Sequence, residues 1–412
     1  MVLKKVMGMM MGCLGISCLR ITDQATRPAP PSECDSPSPS SYDVNDTQSR
    51  NENGTKCKQS YPCPDIDSRA PSSDDVDHKS SSSSSLTSSL SSSSSLSSSC
   101  GRIKLSDGRY LAYKERGVPK SQSDFRVVIV HGFASNKDMN FNASQKLMDE
   151  LGIYLVQFDR AGYGDSDPYP KRSLKSEASD IQELADQLQL GPKFYLIGVS
   201  VGSYPTWSCV KNLPERLAGV ALVVPFINYR WPSLPRDLIQ DDYRKNLSKL
   251  AVWIARHTPG LLHWWLTQKM FPSSSVLDRN PKFFSSKDLE VLKNTPGYQL
   301  LCKSKLKEEP IFHSLIKDFM VAFGKWDFDP LAQSNPFEQS QSHFHIWQGY
   351  EDKVVPCELQ RYVSSRLPWI QYHEVPDGGH LLVYDSDVCE AILRSLLLGE
   401  AAPLYIPKFD SN

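Results

Sequence analysis

Phe194-Tyr195-Leu196-Ile197-Gly198-Val199-Ser200-Val201-Gly202 decides how the rest of this chain is read. Phe194–Val199 is a continuous, mostly apolar run of the kind that suits a strand covered on both faces. It ends in Gly198-x-Ser200-x-Gly202, directly before a segment that reads as a helix. In that context the serine occupies a tight strand-to-helix turn, and small neighbours are needed because a Cβ on either side would meet backbone. The turn holds the hydroxyl out at the carboxyl edge of a sheet, where open α/β folds bind ligands. A glycine-serine turn without chemistry is the bland alternative, and the preceding strand favours a nucleophile.

The same theme repeats on both sides of this stretch. Arg126–Val130, Tyr154–Phe158 and Val220–Val224 are short apolar runs, and Leu174, Ala178, Ile181, Leu184, Ala185 and Leu188 recur at helical spacing. Asp107-Gly108, between Arg102–Leu105 and Arg109–Lys114, is a hairpin signal. After Val224 the alternation stops. From about residue 228 to 341 the chain reads as helices rich in aromatics, including Trp253, Trp264, Trp265 and Trp326. Alternation resumes at His343–Trp347 and Ile370–Val375 and closes with a helical Asp387–Leu398. The pattern predicts a doubly wound, mostly parallel α/β sheet with its core over 101–227 and 342–400. Residues 228–341 then form a helical cap insertion, and 401–412 a short tail.

Residues 1–100 have a different composition. Ser, Pro, Asp and Asn dominate, and Ser80–Ser99 is broken only by Leu86, Thr87, Leu90 and Leu96. Such a stretch buries too little apolar surface to offset its chain entropy and is expected to be a disordered tail. At its start, Lys4 and Lys5 precede the apolar run Val6–Leu19, which reads as a secretory, endomembrane or membrane-surface targeting segment. A transit sequence, or a nonspecific start on a cytoplasmic protein, is the alternative. No run of 18 apolar residues occurs, which argues against an ordinary membrane span. The formal net charge of -1, without a basic block, argues against nucleic acid as an obligate partner. None of the ten cysteines has zinc-site spacing, and Cys209, Cys302, Cys357 and Cys389 are expected to be buried and reduced.

A serine hydroxyl is a weak nucleophile and needs a base held by an acid, in the order Ser, acid, His for this kind of turn. His380, in Asp377-Gly378-Gly379-His380, follows the last predicted strand and is the candidate base. His343, His345 and His373 fall within strands and are less suited. Asp352 follows the His343–Trp347 strand and is the candidate acid, with Glu351 as its rival. The segment after Val224 offers no carboxylate. Two backbone N–H groups must receive the oxyanion: Val201, next after the nucleophile, and Phe133, after His131-Gly132. Gly132 lets that loop approach the substrate, and His131 reads as a structural anchor. Asp159–Asp167 lacks the dinucleotide glycine pattern and reads as a rigid turn under the site. No cofactor is implied. Trp264 and Trp265 are candidate walls for a small hydrophobic ester, or else cap packing.

At these residues the chain resembles the α/β-hydrolase superfamily, from about Arg102 to Glu400. The resemblance runs through His131-Gly132, Asp159-Arg160-x-Gly162-x-Gly164-x-Ser166, the Ser200 turn, Asp352 and His380. It looks closest to a group of plant proteins of that fold with a similar Ser106–Tyr113 start and Trp231–Pro235 segment. Epoxide hydrolases and haloalkane dehalogenases share the scaffold with an aspartate nucleophile, and Ser200 argues against both. That plant group implies no particular substrate; the function expected from the Ser200, His380 and Asp352 set is a serine hydrolase of carboxylic esters, with acylglycerols as candidates, working through an acyl-enzyme. The alternative is a small-molecule receptor that keeps the triad on the same fold.

Overall fold

The computed structural model describes residues 100–267, 284–294, 308–337 and 343–403. The expected tail, nearly all of the end segment, Cys302 and the Trp265 side chain lie outside the described residues. β1 (Cys100–Lys104) and β2 (Tyr110–Gly117) form the hairpin, with Gly108 in the turn at φ +92°. There follow β3 (Phe125–Val130), α1 (Gln145–Glu150), β4 (Ile153–Phe158), α2 (Leu174–Gln187), β5 (Phe194–Val199), α3 (Ser203–Asn212) and β6 (Leu217–Val223). Then come α4 (Arg236–Ile239), α5 (Tyr243–His257), α6 (Pro259–Thr267), α7 (Ser286–Asn294) and α8 (Glu309–Ala322). Among the described residues every regular element between β6 and the next strand is helical. β7 (Phe344–Gly349), α9 (Cys357–Arg366), β8 (Gln371–Val375) and α10 (Ser386–Leu398) complete the chain.

The strands form one sheet in the order β1-β2-β4-β3-β5-β6-β7-β8. β1 and β2 run antiparallel to their neighbours, and β3 through β8 pair in parallel. This is the doubly wound α/β sheet that the sequence predicts.

Side-chain alternation along the strands explains why both faces are covered. On β3, Val128 and Val130 pack with Ile181, Leu184 and Trp207 of α2 and α3. Val127 and Ile129 turn the other way, toward Leu147 of α1 and Ile392 and Leu396 of α10. Each such fully buried aliphatic side chain contributes about 1.5–3 kcal/mol. α2 starts at a reciprocal cap in which Ser173 and Ser176 each accept the other's backbone N–H. Cys209, Cys357 and Cys389 are buried and unbridged, as expected. Among the described residues no helix is long and apolar enough to cross a membrane.

β5 is central, and β6, β7 and β8 follow it outward in order. The turns after β5, β7 and β8 therefore open at one edge of the sheet. These are the turns that carry Ser200, Asp352 and His380.

Candidate active site

Ser200 sits at the end of β5 with φ +52°, a left-handed conformation that costs a non-glycine residue roughly 1–2 kcal/mol. The close packing expected of its glycines is present. A Cβ on Gly198 would overlap Thr206 Oγ1 and approach the Gly202 carbonyl to 2.9 Å. One on Gly202 would strike the carbonyls of Val130 and His131 at the end of β3. Strand and helix thus meet in van der Waals contact, and the serine side chain is the part left reachable.

Ser200 Oγ lies 3.0 Å from His380 Nε2, and His380 Nδ1 lies 2.8 Å from Asp352 Oδ2. The expected three residues are brought together as a hydrogen-bonded relay. Asp352 is held from all sides: Oδ1 accepts the N–H groups of Val354 and Val355 at 2.8 and 2.9 Å, and Oδ2 accepts Gln348 Nε2 at 3.0 Å. Glu351, the rival acid, is exposed, and only its backbone is tied down, donating to the Gly378 carbonyl. Burial disfavours the His380 imidazolium, but the carboxylates of Asp352 and Asp288 outweigh it and raise the basicity of the ring. His345 is buried and His373 half-buried; their rings stack with centroids 5.2 Å apart, and His345 Nδ1 lies 2.9 Å from His373 Nε2. Burial, together with His373 and His343, pushes His345 down to about 3, and burial lowers His373 to about 4. Both stay neutral within the sheet.

The loop after β3 approaches the elbow closely. A Cβ on Gly132 would come within 3.2 Å of Ser200 Cβ. Phe133 follows it, half-buried against the core, and Val201 follows the serine on the other side. His131 is buried; its Nδ1 donates to the Gly132 carbonyl at 2.8 Å and its Nε2 accepts Arg160 N–H at 3.1 Å. Burial and the Arg160 charge hold its basicity far below normal, so it anchors the loop as a neutral ring. Trp264 lies on α6 and is 48% exposed.

Asp159–Asp167 is tied as a turn. The Asp159 carboxylate accepts Lys137 N–H at 2.6 Å and Asp165 N–H at 2.9 Å, and Ser166 Oγ links the Asp159 carbonyl to Ala112 N–H.

Asp288 was not singled out by sequence. Its Oδ2 accepts the N–H groups of Ser285 and His380, both at 3.0 Å, and its Oδ1 accepts Leu381 N–H at 2.8 Å. Asp288 N–H in turn donates to Ser285 Oγ at 3.1 Å. The only signal was Ser285-x-x-Asp288, which reads as an ordinary helix cap. The structure uses that cap a second time, to grip the loop of the candidate base from within the helical segment between β6 and β7.

The α/β-hydrolase-fold family model matches residues 126–387, and this chain belongs to that family. A lysophosphatidylserine lipase of Danio rerio is 31% identical over 116 residues, covering 26% of this chain and 30% of that protein. The aligned stretch therefore spans less than a third of that relative. Among solved structures, an esterase from Exiguobacterium antarcticum aligns with TM-score 0.50 at 19% identity, over 68% of this chain and 92% of that one. An enol-lactonase from Burkholderia xenovorans aligns with TM-score 0.51 at 13% identity, over 73% and 100%. These structural likenesses are of fold.

Proposed function

We propose that this hydrolase cleaves carboxylic esters, lipid esters among them, with Ser200 as nucleophile, His380 as base and Asp352 as the acid that orients it. The observation that carries the reading is the continuous relay from Ser200 through His380 to Asp352, built on a serine at φ +52°. Ser200 Oγ attacks the ester carbonyl as its proton passes to His380 Nε2. Asp352 fixes the imidazole with Nδ1–H toward its own carboxylate and stabilises the imidazolium that forms. The N–H groups of Phe133 and Val201 receive the oxyanion. The imidazolium then protonates the departing alcohol, and the acyl-enzyme is hydrolysed by water that His380 deprotonates.

Two charges, the His380 imidazolium and the oxyanion, are absent from the ground state and appear only during reaction, and each has a group proposed to meet it. That preorganisation favours turnover over simple binding. The lipase named among the relatives adds support for a lipid-type ester, at the level of its ester class. The resemblance to the plant group rests on the sequence of Ser106–Tyr113 and Trp231–Pro235 alone. Both are built into the fold here: Arg109 pairs with Asp180 at 2.7 Å, and Trp231 packs on Trp326 at 5.5 Å.

A fluorophosphonate probe tests the assignment. It should label the wild type and leave Ser200→Ala unlabelled, with turnover of chromogenic short-chain esters lost in the same variant. Labelling of both proteins alike would remove Ser200 as nucleophile. Labelling without turnover on any ester would favour a receptor on this fold.

A further inference from the structure

A cleft of about 500 Å³ opens between the start of α2, the C-terminal half of α5 and the end of α8. Ser200, Asp352 and His380 are not among its lining residues. Trp326 forms part of its wall; the Trp326 ring lies 6.1 Å from Phe226, whose N–H donates to the Ser200 carbonyl at 3.4 Å. Two aromatic rings, Trp326 and Phe226, thus link the cleft wall to the elbow.

Lys175, Arg230, Arg256 and Lys325 line this cleft, all exposed, and none has an ion-pair partner among the described residues. A fifth cation, Arg172, is already neutralised, with Nε 2.5 Å from Glu177 and Nη1 3.4 Å from Asp318. Against the four unpaired cations the wall offers one carboxylate, Asp327. Like charges gathered on one concavity repel, and the low-dielectric wall strengthens the field they make. Helix dipoles explain part of the arrangement, since Arg256 lies in the last turn of α5, where a cation is favourable. They do not explain Lys175, which stands in the first turn of α2, where a cation opposes the dipole. Beneath the charges the wall is apolar, with Val252, Met320 and Val321 beside the buried Trp326.

A cationic rim over an apolar floor fits one kind of ligand. We infer that this cleft is a second binding site, for an amphiphilic phosphate monoester whose dianionic head sits among Lys175, Arg230, Arg256 and Lys325 and whose chain lies along the floor. A dianion answers four cations better than a carboxylate does, and guanidinium groups pair with phosphate oxygens two at a time. The volume lies within the usual range of about 300–1,000 Å³ for small-ligand pockets.

Titration calorimetry on the full chain with dodecyl phosphate, below its micelle concentration, tests the site. The expected result is one ligand per chain, weakened by salt, and bound about tenfold or more tighter than inorganic phosphate. Arg256→Gln with Lys325→Gln should weaken it by about tenfold or more, while Arg256→Lys with Lys325→Arg retains it. Lys175→Gln with Arg230→Gln provides a second pair, should the first fail to fold. Short-ester turnover should stay unchanged in every folded variant, which separates this site from the triad. Flotation with phosphatidylcholine vesicles carrying phosphatidic acid distinguishes the sources. Loss of vesicle binding in the Gln pair assigns a membrane headgroup, and retained vesicle behaviour with lost calorimetric binding assigns a free phosphate ester. Undiminished dodecyl phosphate binding in both Gln pairs, or none in the wild type, overturns the site.

Discussion

At the scale of single residues, Asp352 and Glu351 are adjacent in sequence and opposite in circumstance. One is buried with both oxygens engaged, and the other faces solvent. Asp352→Asn should lower kcat by about 10³–10⁴-fold, because the amide no longer favours Nδ1–H on His380, while Glu351→Gln stays near the wild type. Steady-state kinetics on a soluble ester reads the difference, and the reverse order would move the acid to Glu351. Asp288 makes a subtler claim. With His380 as the proposed base, turnover requires its neutral form, so kcat/KM should rise with pH through the His380 pKa, which lies above the ordinary 6.5. Asp288→Asn removes one of the two negative charges favouring the imidazolium, so the acid limb should move to lower pH. It also leaves one fewer acceptor for the N–H groups of His380 and Leu381, so the plateau rate should fall. A lower plateau with an unmoved limb would make Asp288 merely a structural cap. Sequence displayed Ser200, Asp352 and His380 because each ends a strand beside glycine or after an apolar run. It hid Asp288, whose partners are 92 and 93 residues away.

At the scale of elements, the helical segment is fastened to the sheet by charge as well as by packing. Asp318 of α8 accepts from Arg160 Nη1 and Nη2 at 2.6 and 2.8 Å, and from the hydroxyls of Tyr163 and Tyr204, both at 2.5 Å. Every member is buried. Burial opposes the charge on Asp318, but Arg160 and Arg172 prevail and hold its carboxyl well below the usual range. Removing one partner of such a cluster strands the other charges, so Asp318→Ala should destabilise the fold by about 3–5 kcal/mol in urea unfolding. A loss below about 1 kcal/mol would mean that α8 docks by its apolar face alone. The turn carrying Arg160 was legible as rigid from its glycines. That Arg160 reaches across to α8 was not, because the pairing spans 158 residues and leaves no periodicity to read.

At the scale of the whole molecule, the described sheet begins where the composition of the chain changes. β1 starts at Cys100, opposite Lys114, and its partner β2 is held on its other side by β4. All five residues of this edge strand are paired with β2. The start of the sheet was plain in sequence because the serine run gives way there to the hairpin signal of Asp107-Gly108 and its flanking segments. The arrangement of the helical segment between β6 and β7 was far less legible, since aromatic side chains such as Trp231 and Trp326 pack a core by the same chemistry that lines a pocket. If residues 1–99 serve location rather than catalysis, a chain beginning at Ser97 should keep kcat/KM on a water-soluble short ester within about twofold of the full chain. Its urea midpoint should also be unchanged, because the sheet and its covering helices are all present. Vesicle flotation should separate the two chains if Val6–Leu19 acts at a membrane surface, with the full chain floating more strongly. A truncated chain that unfolds early, or that loses ester turnover while remaining folded, would show that the first hundred residues take part in the hydrolase itself.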